Sequence, residues 1–280
     1  MKFRNLNLVC PNCYNEIESH EKSIRCTHCN KRYRTLGDKP NFSEVNYFTK
    51  DKLDIVKYIF KQYPRVYEFL IDVLSPVYPK HRMLVRRLVN QLPEDSTLLN
   101  LGSGNTRLSE SIVNIDVIDY ANVDIIAEVT NLPFKEQTID CVVSIAVLEH
   151  VENPTEAVSE IARVLKKGGK AYVYVPFMMG FHASPADYNR WTMPGLALLF
   201  KNFKIISKVS VGPTSALLWI FQEWIAILLS FNNRKLHDLI LILTMSITWP
   251  LKYFDFLLSK SKFASNVSAG FLFELEKEKD

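Results

Sequence analysis

The sequence predicts an α/β protein. Its core is a doubly wound, mostly parallel sheet, with a small metal-stapled appendage in front and an apolar helical hairpin behind. Three observations carry this. Between Leu98 and Pro176, apolar runs of strand length alternate with polar turns and one amphipathic helix, the pattern of a parallel sheet. The first run, Leu98 to Leu101, ends in Gly102-Ser103-Gly104, the kind of turn at which an open α/β sheet presents backbone to a ligand. Ahead of it stand two C-x-x-C pairs.

With 280 residues, 48% hydrophobic and 23% charged, the chain suits one large domain plus an appendage. The net charge is +4, and residues 1–50 hold all of it: nine Lys/Arg against five acids. The other 230 residues are balanced, which argues against a broad nucleic-acid surface. Met1 to Leu8 is polar, so a cytoplasmic protein with reduced thiols is expected.

That compartment decides how the cysteines read. Cys10-Pro-Asn-Cys13 and Cys26-Thr-His-Cys29 are separated by twelve residues. Each unit offers two thiolates from a tight turn, and together they complete a tetrahedron around a structural Zn2+. A segment spanning residues 1–43 has too little core to fold alone, and the metal supplies the missing stability. His28 reads as a surface residue. The stretch Leu8 to Phe42 resembles the zinc-ribbon domain of methyltransferase activator subunits, which is also found fused ahead of other methyltransferases. The knuckles, Tyr33 and the exit Gly37-Asp38-Lys39-Pro40 carry the match. At that exit the glycine precedes the aspartate and Lys39 replaces an apolar residue.

Residues 44–96 form a second unit. Leu53, Val56, Ile59, Phe60, Val66, Phe69, Leu70 and Val73 recur at helical spacing, broken by Pro64, Pro76 and Pro79. The unit reads as a helical cover on the sheet or as a lid over a ligand.

The core begins the third unit, 97–280. Ile112 to Val117 is a strand with Asp116 near its carboxyl end, where a carboxylate accepts ribose hydroxyls or caps a turn. Val123 to Val129 reads as a third strand. Glu128 at its end is placed to accept an adenine amino group, with Leu132 and Phe134 as apolar walls. Thr138 to Ile145 is a buried fourth strand, and Ala146 to Val151 continues it along the sheet's edge. Pro154 to Leu165 is a helix, closed by a left-handed glycine cap at Gly168-Gly169. Lys170 to Pro176 is the fifth strand.

In order, Leu101-Gly102-Ser103-Gly104, Asp116, Glu128 with Leu132-Pro133-Phe134, Asp140 through Leu148-Glu149-His150-Val151, and Arg163 to Gly169 closely resemble the class I S-adenosylmethionine-dependent methyltransferases of the type 11 group. The resemblance implies a Rossmann-like fold with S-adenosylmethionine as cofactor. It implies that the Gly102-Ser103-Gly104 turn lies against the methionine part, Asp116 on the ribose, Glu128 near adenine, and Ser144 to Ala146 beside the substrate opening. Two positions depart from it. Asn100 stands where the strand usually carries an acid, and Thr106 where a third glycine is usual. Asp116 follows Gly104 by only twelve positions, and Glu128 follows Asp116 by twelve. Those gaps leave no room for the usual crossover helices.

After the fifth strand, His182, Asp187, Tyr188, Arg190 and Trp191 crowd into one loop. His182 is a candidate general base, Asp187 its orienting partner and Arg190 a holder of an anionic group. Alternatively, Asp187 and Arg190 pair to fix the loop. Phe203 to Val211 reads as a returning strand.

Ser215 to Phe231 and Leu239 to Leu251 are apolar runs inserted at about 213–260. Each falls short of the roughly twenty residues of a spanning helix. They read as buried helices, or as a hairpin making peripheral contact with the inner face of a membrane through 215–258. Ala269 to Leu275 is the last strand. The expected function is methyl transfer to a small-molecule, glycan or lipid-linked acceptor. An RNA-base methyltransferase and a non-catalytic adaptor are the alternatives, the former because rRNA guanine methyltransferases also carry a zinc finger ahead of this core.

Overall fold

The structure, a computed structural model, describes residues 6–20, 23–44, 80–182 and 186–278. Most of the helical unit expected over 44–96 lies outside the described residues. Its end forms helix α1 (Lys80–Val89).

The appendage contributes strands β1 (Ile17–His20), β2 (Ser23–Cys26), β3 (Arg32–Leu36) and β4 (Lys39–Asn41). The core contributes β5 (Leu98–Leu101), β6 (Ile112–Asp116), β7 (Ile125–Ile126), β8 (Ile139–Ile145), β9 (Leu165–Pro176), β10 (Lys204–Val211) and β11 (Gly270–Glu276). The described strands join in one sheet, ordered β1-β2-β3-β4-β7-β6-β5-β8-β9-β11-β10. Strands β7, β6, β5, β8 and β9 run parallel. Strand β11 is antiparallel, inserted between β9 and β10. The order reverses between β5 and β8, the switch point at which such sheets bind ligands.

Side chains alternate across the strands, and the sheet buries both faces. Leu99, Val142, Val173 and Phe273 join one core with Ile161 and Val164 of α2 (Pro154–Val164) and Leu196 of α3 (Met193–Leu199). Leu98, Val143, Tyr172 and Leu272 join the other, under Val85 and Val89 of α1.

The appendage is part of the same body. Asn41 of β4 pairs in parallel with Ile126, and the Phe42 amide donates to Ile126 O at 2.8 Å. Leu8 bridges Phe134, and Cys10, Ile24, Tyr33 and Phe42 belong to the core containing Leu132 and Phe134. Arg163 fastens this seam. It donates to Phe134 O at 2.7 Å, to Leu132 O at 2.9 Å and to the Glu160 carboxylate. Its guanidinium also stacks 4.2 Å from the Tyr14 ring.

Among the described residues, no helix joins β5 to β6 or β6 to β7. Side chains hold these connections instead. Arg107 grips both Asp124 oxygens at 3.0 Å, Asn122 O and Ile112 O. Asn100 donates to Asn114 Oδ1 at 3.0 Å, Asn114 donates to Asn122 O and Thr106 O, and Asn122 donates to Asn105 O. Asn100 and Thr106, the departures from the family pattern, therefore belong to the network that replaces the crossover helix.

Two expectations change. The third strand shrinks to Ile125–Ile126, because the Asp124 carboxylate takes the Asn114 amide that a longer ladder would use. Helix α2 ends at Val164 without a glycine cap, because Leu165 is already extended and paired with Ile139. Gly168, at φ +77°, lies inside β9 instead.

The apolar runs form α4 (Pro213–Ser230) and α5 (Arg234–Thr248), followed by a 3-10 segment and α6 (Asp255–Leu258). They are only partly the buried helices expected: α4 buries one side, including Ala216, Leu218, Gln222 and Ala226, whereas α5 has no buried residue. Asp255, fully buried, accepts from the Thr214 and Ser215 amides at 2.6 and 3.0 Å and from Ser215 Oγ at 2.5 Å. It thereby caps the N-terminus of α4.

Candidate active site

A pocket of about 680 Å³ opens at the carboxyl ends of the parallel strands. Five of the eight residues expected around the cofactor line it: Gly102, Gly104, Asp116, Glu128 and Ala146. Gly102 (φ +59°) and Gly104 (φ +55°) occupy the left-handed region. A Cβ on Gly102 would meet Val147 Cγ2 at 2.4 Å, whereas one on Gly104 would have nothing within 4 Å. Asp116 accepts from Gly104 N at 2.8 Å and from Ile118 N at 2.9 Å. Turn cap and pocket wall, the two readings of this carboxylate, coexist. Glu128 accepts from Ser43 Oγ at 3.2 Å, so the end of the appendage reaches the pocket. Ala146 sits at φ +55° and donates its amide to Tyr174 O, an unusual conformation for a side-chain-bearing residue.

The other three lie elsewhere. Leu132 is fully buried in the core with its amide on Glu160, and Phe134 is buried with it, so neither forms a pocket wall. Ser103 is turned in, its hydroxyl on Gly104 O and its amide on Ile115 O. Ser144 is buried within β8.

The substrate-side loop also departs from expectation. Arg190 is bonded to both Asp187 oxygens and donates to Asn189 O. The Asp187 side chain is 3% exposed and also accepts from the His182 amide at 3.0 Å. Burial works to raise the Asp187 pKa, but the Arg190 hydrogen bonds outweigh it and hold the carboxyl below its usual range. The pair therefore fixes the loop, and the guanidinium is committed within it. His182 Nδ1 lies 3.0 Å from Gly180 O, 3.3 Å from Arg190 Nη2 and 3.7 Å from Asp187 Oδ2, so the carbonyl is the nearest group orienting the ring. Burial works to lower the His182 pKa, but Glu149 and the Gly180 carbonyl outweigh it and raise the value.

Sequence reasoning passed over two residues here. Glu149 and His150 form a 3-10 turn at the end of β8, and His182 Nε2 comes 3.7 Å from Glu149 Oε1. The signal was an acid–histidine pair on the strand edge, but its partner lies on another connection. His150 and Tyr188 also line the pocket.

The four cysteine sulfurs lie within 4.8 Å of one another, with Cys10–Cys29 at 3.6 Å and Cys13–Cys26 at 3.4 Å. Zinc–thiolate bonds of about 2.3 Å in a tetrahedron put sulfurs about 3.8 Å apart, so the donor set fits Zn2+. The amides of His28 and Cys29 point at Cys26 Sγ, both at 3.4 Å, and Tyr33 OH lies 3.1 Å from Cys10 Sγ. All four thiolates are committed to the fold, so an ion held there is structural.

Residues 99–173 match the family described as a methyltransferase domain. This stretch, about a quarter of the chain, is similar to a methyltransferase domain. At the turn, Gly104 leaves open space beside the backbone, whereas Gly102 packs against Val147. The chain is 27% identical over 215 residues to an Arabidopsis thaliana tRNA (carboxymethyluridine(34)-5-O)-methyltransferase, covering 68% of this chain and 52% of the relative. It is 24% identical over 170 residues to a Mus musculus protein of the same named activity, covering 55% and 26%. The chain thus spans about half or less of these relatives' lengths. Among solved structures, Haemonchus contortus phosphoethanolamine N-methyltransferase 2 shares the fold, at TM-score 0.51 and 18% identity, over 86% of this chain and 62% of that one.

Proposed function

We propose that the protein transfers a methyl group from S-adenosylmethionine to a nucleophile on a lipid-linked acceptor at a membrane surface. In this reading Gly102, Gly104, Asp116, Glu128 and Ala146 hold the cofactor. The acceptor enters between Tyr188 and the Glu149–His150–His182 corner. Methyl transfer to a good nucleophile depends mainly on holding it in line with the sulfonium methyl, a task suited to a loop locked by Asp187 and Arg190.

The observation that carries the reading is the placement of the apolar hairpin. Pro213–Ser230 has a mean hydropathy of 1.2 with a third of it buried, and Arg234–Leu258 has 1.3 with 11% buried. Ile227, Ile247 and Phe231 stand 66%, 76% and 85% exposed. Exposed apolar surface on this scale marks an interaction site. The hairpin adjoins the acceptor side. Trp219 of α4 lies 5.9 Å from the His182 ring, and a Cβ on Gly180 would meet Trp219 Nε1 at 2.3 Å. A hairpin lying in the headgroup region would set the pocket mouth at the lipid surface.

The named activities of the relatives favour a second reading, methylation of tRNA. Labelled S-adenosylmethionine incubated with cell extract, then partitioned into lipid, RNA and water-soluble fractions, separates the two. The proposal expects label in the lipid fraction. It also expects Ile227→Glu/Ile247→Glu to abolish binding to anionic vesicles while S-adenosylhomocysteine binding stays intact. Label confined to tRNA, with no vesicle binding, overturns it.

A further inference from the structure

We propose that Glu149, His150 and His182 form a divalent-cation site beside the acceptor. Oε1 of Glu149 lies 3.6 Å from His150 Nε2 and 3.7 Å from His182 Nε2. One ligand atom from each of the three residues falls within 4.8 Å of the others. Ligands at tetrahedral angles around a metal at about 2.0–2.1 Å lie about 3.4 Å apart, close to both observed separations.

Hydrogen bonding argues for a cation between these atoms. His150 Nδ1 bonds Ala186 O and His182 Nδ1 bonds Gly180 O. A carbonyl only accepts, so His150 Nδ1 carries the proton; at His182 the carbonyl at 3.0 Å is nearer than the donor-only Arg190 Nη2 at 3.3 Å, and with the proton on Nδ1 the neutral ring of each histidine holds a lone pair on Nε2. Both lone pairs converge on the Glu149 carboxylate. That side chain is fully buried, and neither of its oxygens has a hydrogen-bond partner. A buried carboxylate with no donor is costly, and here it faces two further electron-pair donors. Histidines oriented through Nδ1 by backbone carbonyls are typical of metal ligands, whose outer partners fix tautomer and ring direction.

The donor set indicates the kind of ion. Two imidazoles and one carboxylate suit Zn2+, Mn2+, Fe2+ or Co2+, whereas Mg2+ and Ca2+ prefer all-oxygen shells. Three protein ligands leave coordination positions open, unlike the closed shell of four cysteines. His150 lines the pocket, so the ion would bind an oxygen of the acceptor: hydroxyl, carboxylate or phosphate. The inference is independent of whether that acceptor is lipid-linked or RNA.

Mn2+ tests it, because Mn2+ competes poorly with Zn2+ for four thiolates. Free Mn2+ is followed by electron paramagnetic resonance during titration into the zinc-loaded full-length protein. The expected result is one saturable Mn2+ per chain. Glu149→Gln and His182→Gln should each weaken it by about tenfold or more, with zinc content and S-adenosylhomocysteine binding unchanged. If Glu149→Gln fails to fold, the partly exposed His182 supplies the readable variant. Absence of saturable uptake by the wild type, or equal uptake by folded His182→Gln, overturns the assignment. In that outcome a protonated His182 is the counter-ion of Glu149.

Discussion

Gly102→Ala should destabilise the methyltransferase core and weaken cofactor binding by an amount that can be worked out in parts. The backbone at Gly102 is left-handed, which costs an alanine about 1–2 kcal/mol. Its new Cβ would stand 2.4 Å from Val147 Cγ2, and Val147 is itself buried. Overpacking of that kind costs about 1–3 kcal/mol, so the total is about 2–5 kcal/mol. Gly104→Ala carries only the first cost, since its Cβ would touch nothing. Urea unfolding of both variants isolates the steric part as their difference, and calorimetry with S-adenosylhomocysteine reports the pocket. Adding Val147→Ala to Gly102→Ala should relieve the clash while leaving the backbone cost, a coupling that a double-mutant cycle reads directly. Equal stability of the two alanine variants, together with no coupling to Val147, would refute the reasoning.

The other predictions concern the framework. Arg163→Ala leaves the buried Glu160 without its cation, with only the Leu132 amide and the Tyr14 hydroxyl donating to it, and unties two carbonyls at the seam; it should cost about 3 kcal/mol in urea unfolding, and a loss below about 1 kcal/mol would show the seam to be held by packing alone. The wild type should carry one zinc per chain, and Cys26→Ser should lose it and exchange amide hydrogens faster across the appendage, since a metal on four thiolates would supply folding energy there; a wild type without zinc, or zinc retained by the variant, would contradict this. Asp255→Ala removes the cap of α4 at a cost of about 1–2 kcal/mol, and should raise proteolysis at the 231–233 turn without altering S-adenosylhomocysteine affinity. Burial pushes the Cys141 thiol from 9.0 up to about 12. The folded thiol keeps its proton where an unfolded one ionises. Stability is therefore undiminished below pH 9.0 and declines as pH rises from there toward about 12; an identical alkaline decline in Cys141→Ala would rule out this cause.

Much of the fold was legible because its signals are local. The runs Leu98 to Leu101, Ile112 to Asp116 and Ile139 to Ile145 are continuous and apolar, and α2 has one apolar face, so short windows suffice. The paired knuckles carry their chemistry in their spacing. The length of β7 was not legible, because it depends on Asp124 capturing the Asn114 amide from across a connection. Nor was the roll of Asn100, Asn105, Asn114 and Asn122, whose mutual bonds exist only once β5 and β6 align. At the site, the glycines and Asp116 announced themselves through turn chemistry. Leu132 and Phe134 misled, because apolar residues near a ligand turn read alike whether they line a pocket or fill a core. The Glu149–His150–His182 corner joins two strand ends through space, and no spacing rule connects them.

The pairing of β4 with β7 makes the four cysteines guardians of solubility as well as of local shape. An open edge strand invites other chains to add to it. Here the appendage occupies that edge, and a zinc ion on its four cysteines would hold it there. Zinc starvation would uncover the backbone of Ile125 and Ile126 together with the apolar surface around Leu132 and Phe134. The first symptom of metal loss in this protein should accordingly be self-association, visible by light scattering before any fall in S-adenosylhomocysteine binding.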